Sequence, residues 1–251
     1  MKLKIGAQLY TIREFTQTAA DFAKSMKKIA GIGYKYVQVS AIGPIPAKEV
    51  ADICASNGLG IVVTHTNPAK IKNDTDSVIE DHRIMGAKYV GIGAMPGNYS
   101  RSSEGIKSFI NDFALPAKKI EQAGMQLMYH NHDFEWEKFD EKRMIEHLVE
   151  NFPNLGFILD TYWVQAAGGD PAAWLTKLEG KVPVIHFKDM AWWDGQKRMA
   201  EVMEGNLNWP AIFAACATSG VEYAMVEQDD CNGKNPFESL KISYENIMEV
   251  L

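Results

Sequence analysis

The chain alternates short apolar runs, rich in β-branched residues, with longer amphipathic segments. Eight runs are strand candidates, at residues 3–9, 34–39, 60–65, 88–93, 125–130, 155–160, 182–187 and 221–227. Near-continuous apolar runs of this length are typical of strands buried on both faces, as in a parallel sheet. The pattern therefore predicts parallel strands connected by helices.

The segments between these runs carry signals for the beginning and end of helices. We expect helices at residues 18–30, 47–57, 74–85, 102–123, 142–151 and 236–250. Polar residues suited to a first helical turn are Asp21, Asp74 and Ser102 or Ser103. Glycines that fall where a helix would end are Gly31, Gly58, Gly86 and Gly124.

Eight strand–helix units in 251 residues match the usual size of a (β/α)₈ TIM barrel, so we expect an α/β protein of this class. No linker rich in Pro, Gly or Ser divides the sequence, which predicts a single barrel domain over residues 1–251. An open, doubly wound sheet is the alternative. It is less favoured because no GxGxxG motif follows the first strand.

Composition narrows the classes of partner. The chain has 26 Lys+Arg and 32 Asp+Glu, a net charge of −6, and no block of basic residues, which argues against a nucleic-acid partner. No apolar run reaches the roughly 18 residues of a membrane helix. Three cysteines without a CxxC spacing indicate free thiols, so we expect a cytoplasmic protein.

Four consecutive predicted strands end in a side chain that can bind a metal: His130, Asp160, His186 and Glu227. Because neighbouring strands lie about 5 Å apart, these side chains can converge on one ion at the C-terminal rim of a barrel. Imidazole with carboxylate suits Mn²⁺, Zn²⁺, Co²⁺ or Fe²⁺ better than Ca²⁺. Of these, Mn²⁺ is favoured, since four protein ligands leave positions open for substrate oxygens.

Each of these residues also has a structural interpretation. Asp160 could cap the following helix, and His186 could be a hydrogen-bonded core histidine. Glu227 is harder to explain without a cation, because burial of an unpaired carboxylate is costly. Strand alternation places His130 and His132 on one face, so one could bind an ion while the other moves protons, unless both belong to a polar turn.

Other residues near the predicted strand ends are candidates for substrate binding. The polar ones are Gln8, Arg13, His65, Lys188 and Asp189. The aromatic ones are Tyr162, Trp163, Trp192 and Trp193. The aromatic side chains could form a wall against which a sugar ring stacks, or they could simply pack the loops together.

Six motifs together resemble the sugar phosphate isomerase/epimerase superfamily. In chain order they are GAQLYTIR, YHNHDFE, LDTYWVQAAG, HFKD, EGNLNW and VEQDD, and they span nearly the whole sequence. This superfamily comprises the xylose isomerase-like TIM barrels, among them ketose 3-epimerases, inosose dehydratases, dehydroshikimate dehydratases and endonuclease IV. The resemblance implies a xylose isomerase-like barrel with metal ligands at His130, Asp160, His186 and Glu227.

One position departs from the ketose 3-epimerases that this sequence resembles. Where those enzymes have a glutamate on the fifth strand, this chain has His130, so only Glu227 remains of two opposed carboxylate bases. In the dehydratase branch, a histidine two residues after the first ligand transfers protons, and His132 matches it. The resemblance thus implies proton-transfer roles for His132 and Glu227, without deciding which is the base.

The expected function is that of a metal-dependent sugar isomerase or epimerase, which removes a proton next to the carbonyl of a sugar or keto-sugar. A dehydratase or lyase acting on an inosose or a 3-keto-glycoside is the first alternative. A non-catalytic sugar-binding barrel is an alternative of another class, since fold alone does not establish function. DNA repair of the endonuclease IV type is disfavoured by the acidic charge. Barrels of the superfamily that this chain resembles often pair, so a homodimer is one candidate assembly, although the sequence carries no interface signature.

Overall fold

The computed structural model describes residues 3–251 and shows a closed barrel of eight parallel strands. The strands are β1 (Lys4–Gln8), β2 (Tyr36–Val39), β3 (Gly60–His65), β4 (Tyr89–Ile92), β5 (Gln126–His130), β6 (Gly156–Asp160), β7 (Val184–Phe187) and β8 (Tyr223–Val226). They follow chain order around the barrel, and β1 pairs with β8 to close it, with Lys4 opposite Tyr223. The predicted TIM barrel is confirmed, and the open-sheet alternative is wrong.

Ten α-helices connect and surround the strands. They are α1 (Ala19–Ile32), α2 (Ala47–Ser56), α3 (Pro68–Asn73), α4 (Thr75–Met85), α5 (Ser103–Gln122), α6 (Met144–Asn151), α7 (Thr161–Ala166), α8 (Pro171–Lys177), α9 (Trp209–Thr218) and α10 (Pro236–Val250), counted over residues 3–251. Short 3₁₀ segments occupy Leu9–Phe15 and Phe134–Trp136. No helix in this part of the chain combines the length and the apolar character needed to cross a membrane.

Most helix ends agree with the glycine signals, with one exception. Gly86 takes a left-handed conformation with φ of 68° at the end of α4, and such a conformation favours glycine because it has no Cβ. The prediction that the first helix ends at Gly31 is wrong. Helix α1 continues to Ile32 because the glycine that takes the left-handed turn is Gly33, with φ of 127°, and not Gly31.

Two antiparallel hairpins lie outside the barrel sheet, in the loops that follow β5 and β7. Lys138–Phe139 pairs with Lys142–Arg143, so the helix expected from residue 142 begins only at Met144. The second hairpin was not predicted; in it Asp189–Trp193 pairs with Gln196–Ala200 immediately after β7, around the turn Asp194-Gly195. The second hairpin lies beside the ends of the strands that carry the candidate ligands.

The apolar side chains form two packed regions. The larger lies between the barrel and its helices, and the smaller fills the barrel interior with Val62, Val63, Tyr89, Met128, Ile158, Val184 and Met225. The smaller region forms a solid floor. The interior side chains above it, toward the C-terminal ends of the strands, are polar.

Candidate metal centre

Four side chains converge at the C-terminal ends of neighbouring strands. His130 and Asp160 are the last residues of β5 and β6, His186 lies within β7, and Glu227 follows the last residue of β8. One donor atom from each lies within 4.8 Å of the others, and all four residues are buried. The donors are two imidazole nitrogens and two carboxylate oxygens. This buried cluster could therefore hold a metal ion.

The imidazole nitrogens face the carboxylates. His130 Nε2 lies 3.3 Å from Asp160 Oδ2. His186 Nδ1 lies 3.0 Å from Glu227 Oε2 and 3.6 Å from Asp160 Oδ2. Within residues 3–251, this Nδ1 is a buried atom without a hydrogen-bond partner. A buried ring nitrogen that faces two carboxylates without a hydrogen bond fits a position in a metal ligand set.

The far nitrogen of each ring has a fixed acceptor. His130 Nδ1 lies 2.9 Å from the backbone oxygen of Gly93, and His186 Nε2 lies 2.7 Å from Gln38 Oε1. Because both partners are oxygen acceptors, these far nitrogens carry the protons. The nitrogens that face the carboxylates are then free to act as ligands, an arrangement common around metal-binding histidines.

The carboxylates have partners of their own. Gln8 Nε2 donates to Glu227 Oε1 at 2.6 Å, while Lys188 Nζ lies 3.3 Å from Glu227 Oε2. Asp160 Oδ1 accepts from the backbone N–H of Trp163 at 3.1 Å, which caps α7. Asp160 therefore caps α7 with one oxygen and places its other oxygen in the cluster.

Lys188 is the main cation near these carboxylates. It is only 1% exposed, and its Nζ donates to Asp229 Oδ2 at 2.7 Å. Burial by itself would raise the pKa of Glu227, but Lys188 and His186 hold it well below its usual range. Burial likewise opposes a charge on His186, yet Glu227 and Asp160 raise its pKa to about 9, so near pH 7 its Nδ1 carries a second proton that a bound metal ion would displace. The cluster is therefore ionised, with negative oxygens directed at its centre.

A cavity of about 380 Å³ opens beside the cluster. The predicted site residues that line it are Gln8, His65, His130, His132, Lys188 and Glu227. Trp163 stands beside them, with its ring centre 5.2 Å from that of His132 and 5.3 Å from Lys188 Nζ. The structure thus brings Gln8, His65 and Lys188 to one cavity beside the predicted metal ligands, with Trp163 next to His132.

Two imidazoles in this cavity each have a nitrogen without a partner. His132 Nδ1 and His65 Nε2 are buried atoms that make no hydrogen bond to any described residue. Burial, followed by the neighbouring His130, lowers the pKa of His132 to about 3. Burial also holds the pKa of His65 well below its usual range. Both rings are therefore neutral near pH 7, and each can accept or donate one hydrogen bond at a free nitrogen.

Two other polar residues that were candidates for substrate binding lie outside this cavity. The Asp189 carboxylate accepts the N–H groups of Met203, Gly205 and Leu207 and the indole N–H of Trp209, so it anchors a loop and does not face the cavity. Arg13 donates to the backbone oxygens of Tyr10 and Asp229. The prediction that these two side chains face a substrate has no support in this geometry.

The aromatic candidates separate into two groups. Tyr162 is buried at 8% exposure, and Trp163 packs against His132. Trp192 and Trp193 are 64% and 66% exposed on the hairpin that follows β7. Tyr162 and Trp163 therefore pack within the loops, whereas Trp192 and Trp193 have free aromatic surface.

Sequence reasoning missed Gln38 and Glu135. Gln38 is fully buried within β2, and the signal was a polar residue inside the apolar run YVQV. Glu135 is also fully buried and accepts from Tyr129 Oη at 2.7 Å and from the backbone N–H of His132 at 2.8 Å. Burial raises the pKa of Glu135 to about 7. It was passed over as part of the YHNHDFE motif, although it holds the backbone of His132.

Solved structures with this architecture include several enzymes. A sugar phosphate isomerase/epimerase from Parabacteroides distasonis superposes with a TM-score of 0.85 at 20% identity, covering 100% of this chain and 95% of the other. An L-ribulose 3-epimerase gives a TM-score of 0.76 at 13% identity, with 99% and 94% covered. A probable 3-DHS dehydratase from Bacillus anthracis gives 0.74 at 14% identity, with 99% and 100% covered. At these identities the likeness establishes the fold alone.

Sequence comparison gives the family. No curated protein matches the chain. The family model described as the xylose isomerase-like TIM barrel matches residues 26–243, which span β2 to β8 and contain all four residues of the cluster. The chain belongs to the xylose isomerase-like TIM barrel family.

Proposed function

We propose that this protein is a divalent-metal-dependent sugar isomerase or epimerase that removes a proton next to the carbonyl of a sugar or keto-sugar. The observation that carries the proposal is the buried cluster of His130, Asp160, His186 and Glu227 beside a cavity with two unpartnered imidazole nitrogens. Ion-binding donors and proton carriers at one end of a barrel are the parts that such a reaction needs.

The four cluster residues would hold the ion, with manganese favoured among Mn²⁺, Zn²⁺, Co²⁺ and Fe²⁺. When bound, a divalent ion polarises a substrate carbonyl and makes the neighbouring C–H more acidic.

His132 is the favoured proton carrier. Of the two candidates, Glu227 already has both oxygens engaged, one by Gln8 and the other by Lys188 and His186. His132 lines the cavity, and its Nδ1 has no partner among the described residues. A positioned, neutral imidazole can accept a proton from a substrate carbon and return it.

The remaining cavity residues would bind and orient the substrate. His65 Nε2 is free to bond a hydroxyl group, and Ser40 Oγ, 3.1 Å from Nδ1, fixes the ring. Lys188 and Gln8 lie against Glu227, where the Lys188 ammonium group and the Gln8 amide N–H can also contact a substrate oxygen. Trp163 packs against His132, with 5.2 Å between the ring centres, and would help to hold that ring in place.

Elimination is the second candidate, in which loss of a β-substituent follows removal of the proton. The observation that favours it is that His130 stands where the ketose 3-epimerases have a second carboxylate, and Glu227 is engaged by three neighbours. Incubation of keto-sugars in D₂O separates the two reactions. Isomerisation returns a sugar that differs in composition only by the deuterium it has taken up. Elimination instead shortens the sugar by the water or alcohol that it releases.

The first test is the metal content of the purified protein. We expect about one Mn, Zn, Co or Fe per chain by mass spectrometry. A double variant, Glu227→Ala with His186→Ala, should lose this metal. Its fold would be checked by circular dichroism. A folded wild-type protein that binds none of these ions after they are added back would contradict the proposal and favour a non-catalytic sugar-binding barrel.

A further inference from the structure

The cavity beside the metal centre contains polar atoms to which residues 3–251 offer no hydrogen bond. Three side chains that line it each have one such buried atom, namely His65 Nε2, His132 Nδ1 and Asp229 Oδ1. A fourth is the indole nitrogen of Trp163, whose ring packs against His132. Buried polar groups in proteins are nearly always hydrogen-bonded, so several unpartnered atoms around one cavity indicate where the polar groups of a ligand lie.

These four atoms suit hydroxyl and carbonyl groups. A free imidazole nitrogen accepts or donates one hydrogen bond, the carboxylate oxygen of Asp229 accepts, and the indole nitrogen of Trp163 donates. A sugar hydroxyl can pair with any of them, because it is both a donor and an acceptor. None of the four atoms belongs to a lysine or an arginine, the residues that usually bind phosphate and carboxylate groups.

The lysine of the cavity is already paired. Among the described residues that line the cavity, Lys188 is the only lysine or arginine. It is 1% exposed, and its Nζ lies 2.7 Å from Asp229 Oδ2, 3.3 Å from Glu227 Oε2 and 3.6 Å from Asp160 Oδ2. Three carboxylates thus share one ammonium group. A divalent ion in the cluster would balance the negative charge that is left.

Two arginines near the cavity are engaged outside it. Arg13 donates to the backbone oxygens of Tyr10 and Asp229. The guanidinium group of Arg101 lies over the ring of Phe134, 4.1 Å from its centre. Neither arginine lines the cavity. A phosphate or carboxylate group in the cavity would therefore lie against like charge without a free cation, and such contacts strongly disfavour binding.

We propose that the substrate is an uncharged, polyhydroxylated keto-sugar and that Asp229 is the residue that selects it. Asp229 Oδ1 accepts a hydrogen bond from a substrate hydroxyl group, and the negative charge of this carboxylate repels a phosphorylated or acidic sugar. Attraction of one ligand combined with repulsion of its competitor is a common origin of specificity. This inference rests on the sugar chemistry proposed above and adds to it the class of substrate.

The test compares neutral ketoses with their phosphates. D-Fructose and D-ribulose are titrated by calorimetry beside fructose 1-phosphate, fructose 6-phosphate and ribulose 5-phosphate. Metal-free protein is used, because a bound ion could itself hold a phosphate oxygen. At a pH of about 7.5 and low ionic strength, a phosphate group carries almost two negative charges and repulsion is little screened. We expect at least one ketose to bind about tenfold or more tightly than its own phosphates.

Asp229→Asn tests the residue itself. The amide keeps the size of the side chain but removes its negative charge, so we expect the ratio of ketose to phosphate affinity to fall about tenfold or more. Asp230→Asn is the matched control. It removes the same charge from the next residue, which is exposed and does not line the cavity, so the ratio should stay as in the wild type. Circular dichroism checks the fold of both variants.

Three outcomes would overturn the proposal. They are phosphates that bind as tightly as the neutral ketoses, no binding of either ketose, and the same affinity ratio in both variants. Metal uptake is measured separately, so the two proposals can fail independently. A protein that takes up no metal but prefers neutral ketoses contradicts only the metal-dependent reaction, whereas one that takes up metal but shows no such preference contradicts only the neutral-substrate proposal.

Discussion

At the centre of the barrel, some residues are candidate metal ligands and others hold those ligands in position. Gln38 on β2 accepts from His186 Nε2 at 2.7 Å across the barrel, and Gln8 on β1 donates to Glu227 at 2.6 Å. These two glutamines orient donors that come from the other half of the chain. A ligand set is defined by such partners as much as by the ligands themselves, because a freely rotating imidazole loses its alignment.

Replacement of Gln38 by Leu should weaken metal binding without unfolding the protein. The variant removes the acceptor that fixes the tautomer of His186, and we expect a loss of about 10- to 100-fold in Mn²⁺ or Zn²⁺ affinity. Isothermal titration with each ion measures it. Gln126→Leu, at the opposite end of β5 and away from the cluster, should leave the affinity unchanged. An unchanged affinity in Gln38→Leu would contradict this role.

His82 on α4 should make the stability depend on pH. Its ring is 2% exposed, with Nδ1 2.7 Å from the Val78 carbonyl oxygen and Nε2 2.8 Å from Thr64 Oγ1. Burial lowers the pKa of His82 below its ordinary value of 6.5. As the pH falls, the unfolded chain therefore takes up a proton at this residue before the folded chain does.

This contribution to stability is fully present above a pH of about 6.5 and is lost as the pH falls from there toward the folded-state pKa. Between about pH 7.5 and about pH 5.5, wild-type protein should lose more unfolding free energy than His82→Gln. Urea unfolding at the two pH values measures the difference. Parallel losses in the two proteins would show that His82 is not responsible.

At the scale of elements, the observed strands and helices agree closely with those predicted from the sequence, whereas the hairpins and loops were not predicted. The strands were predictable because each is a short apolar run, and Gly86 marked the end of α4 because only glycine takes that conformation without strain. The hairpin after β7 was missed because its strands alternate too weakly to indicate a buried face, although Asp194-Gly195, both with positive φ, is a typical two-residue hairpin turn. Asp189 looked like a site residue because sequence cannot show which donors a carboxylate meets.

Asp189 should therefore matter for folding. Its two oxygens accept N–H groups at both ends of the loop between the hairpin and α9, including those of Met203 and Leu207. Asp189→Asn places an NH₂ group against some of these donors, and we expect a loss of about 2–4 kcal/mol in unfolding free energy. Urea denaturation measures it. Asp194→Asn, in the exposed turn of the same hairpin, should change it by less than about 0.5 kcal/mol.

At the scale of the whole molecule, the barrel separates an apolar floor from a polar rim. The four-residue cluster was predictable because one polar residue ended each of four successive strands. Gln38 and Ser40 were not, because their partners depend on which strands face each other across the barrel. The prediction of a single domain over residues 1–251 stays a prediction, as do the roles of His132 and Glu227 in proton transfer.

The floor of the barrel tolerates no added atoms at Gly6 on β1. A Cβ at this position would lie 2.5 Å from Met225 Sδ and 2.9 Å from the backbone oxygen of Tyr36. Gly6→Ala should lower the unfolding free energy by about 1–3 kcal/mol, since both neighbours belong to packed strands. Gly97→Ala is the control, because nothing lies within 4 Å of its Cβ position. Equal thermal midpoints for the two variants would contradict this account of the floor.

The hydrogen bond from Gln8 to Glu227 joins residues 219 positions apart and spans the seam at which the first and last strands meet. A collapsed chain whose ring has not yet closed lacks this contact, even if every helix has formed. In the metal-dependent enzyme proposed above, uptake of the ion would therefore report ring closure. In refolding experiments, we expect metal uptake to lag behind the recovery of helical signal and to separate closed molecules from compact, unfinished ones.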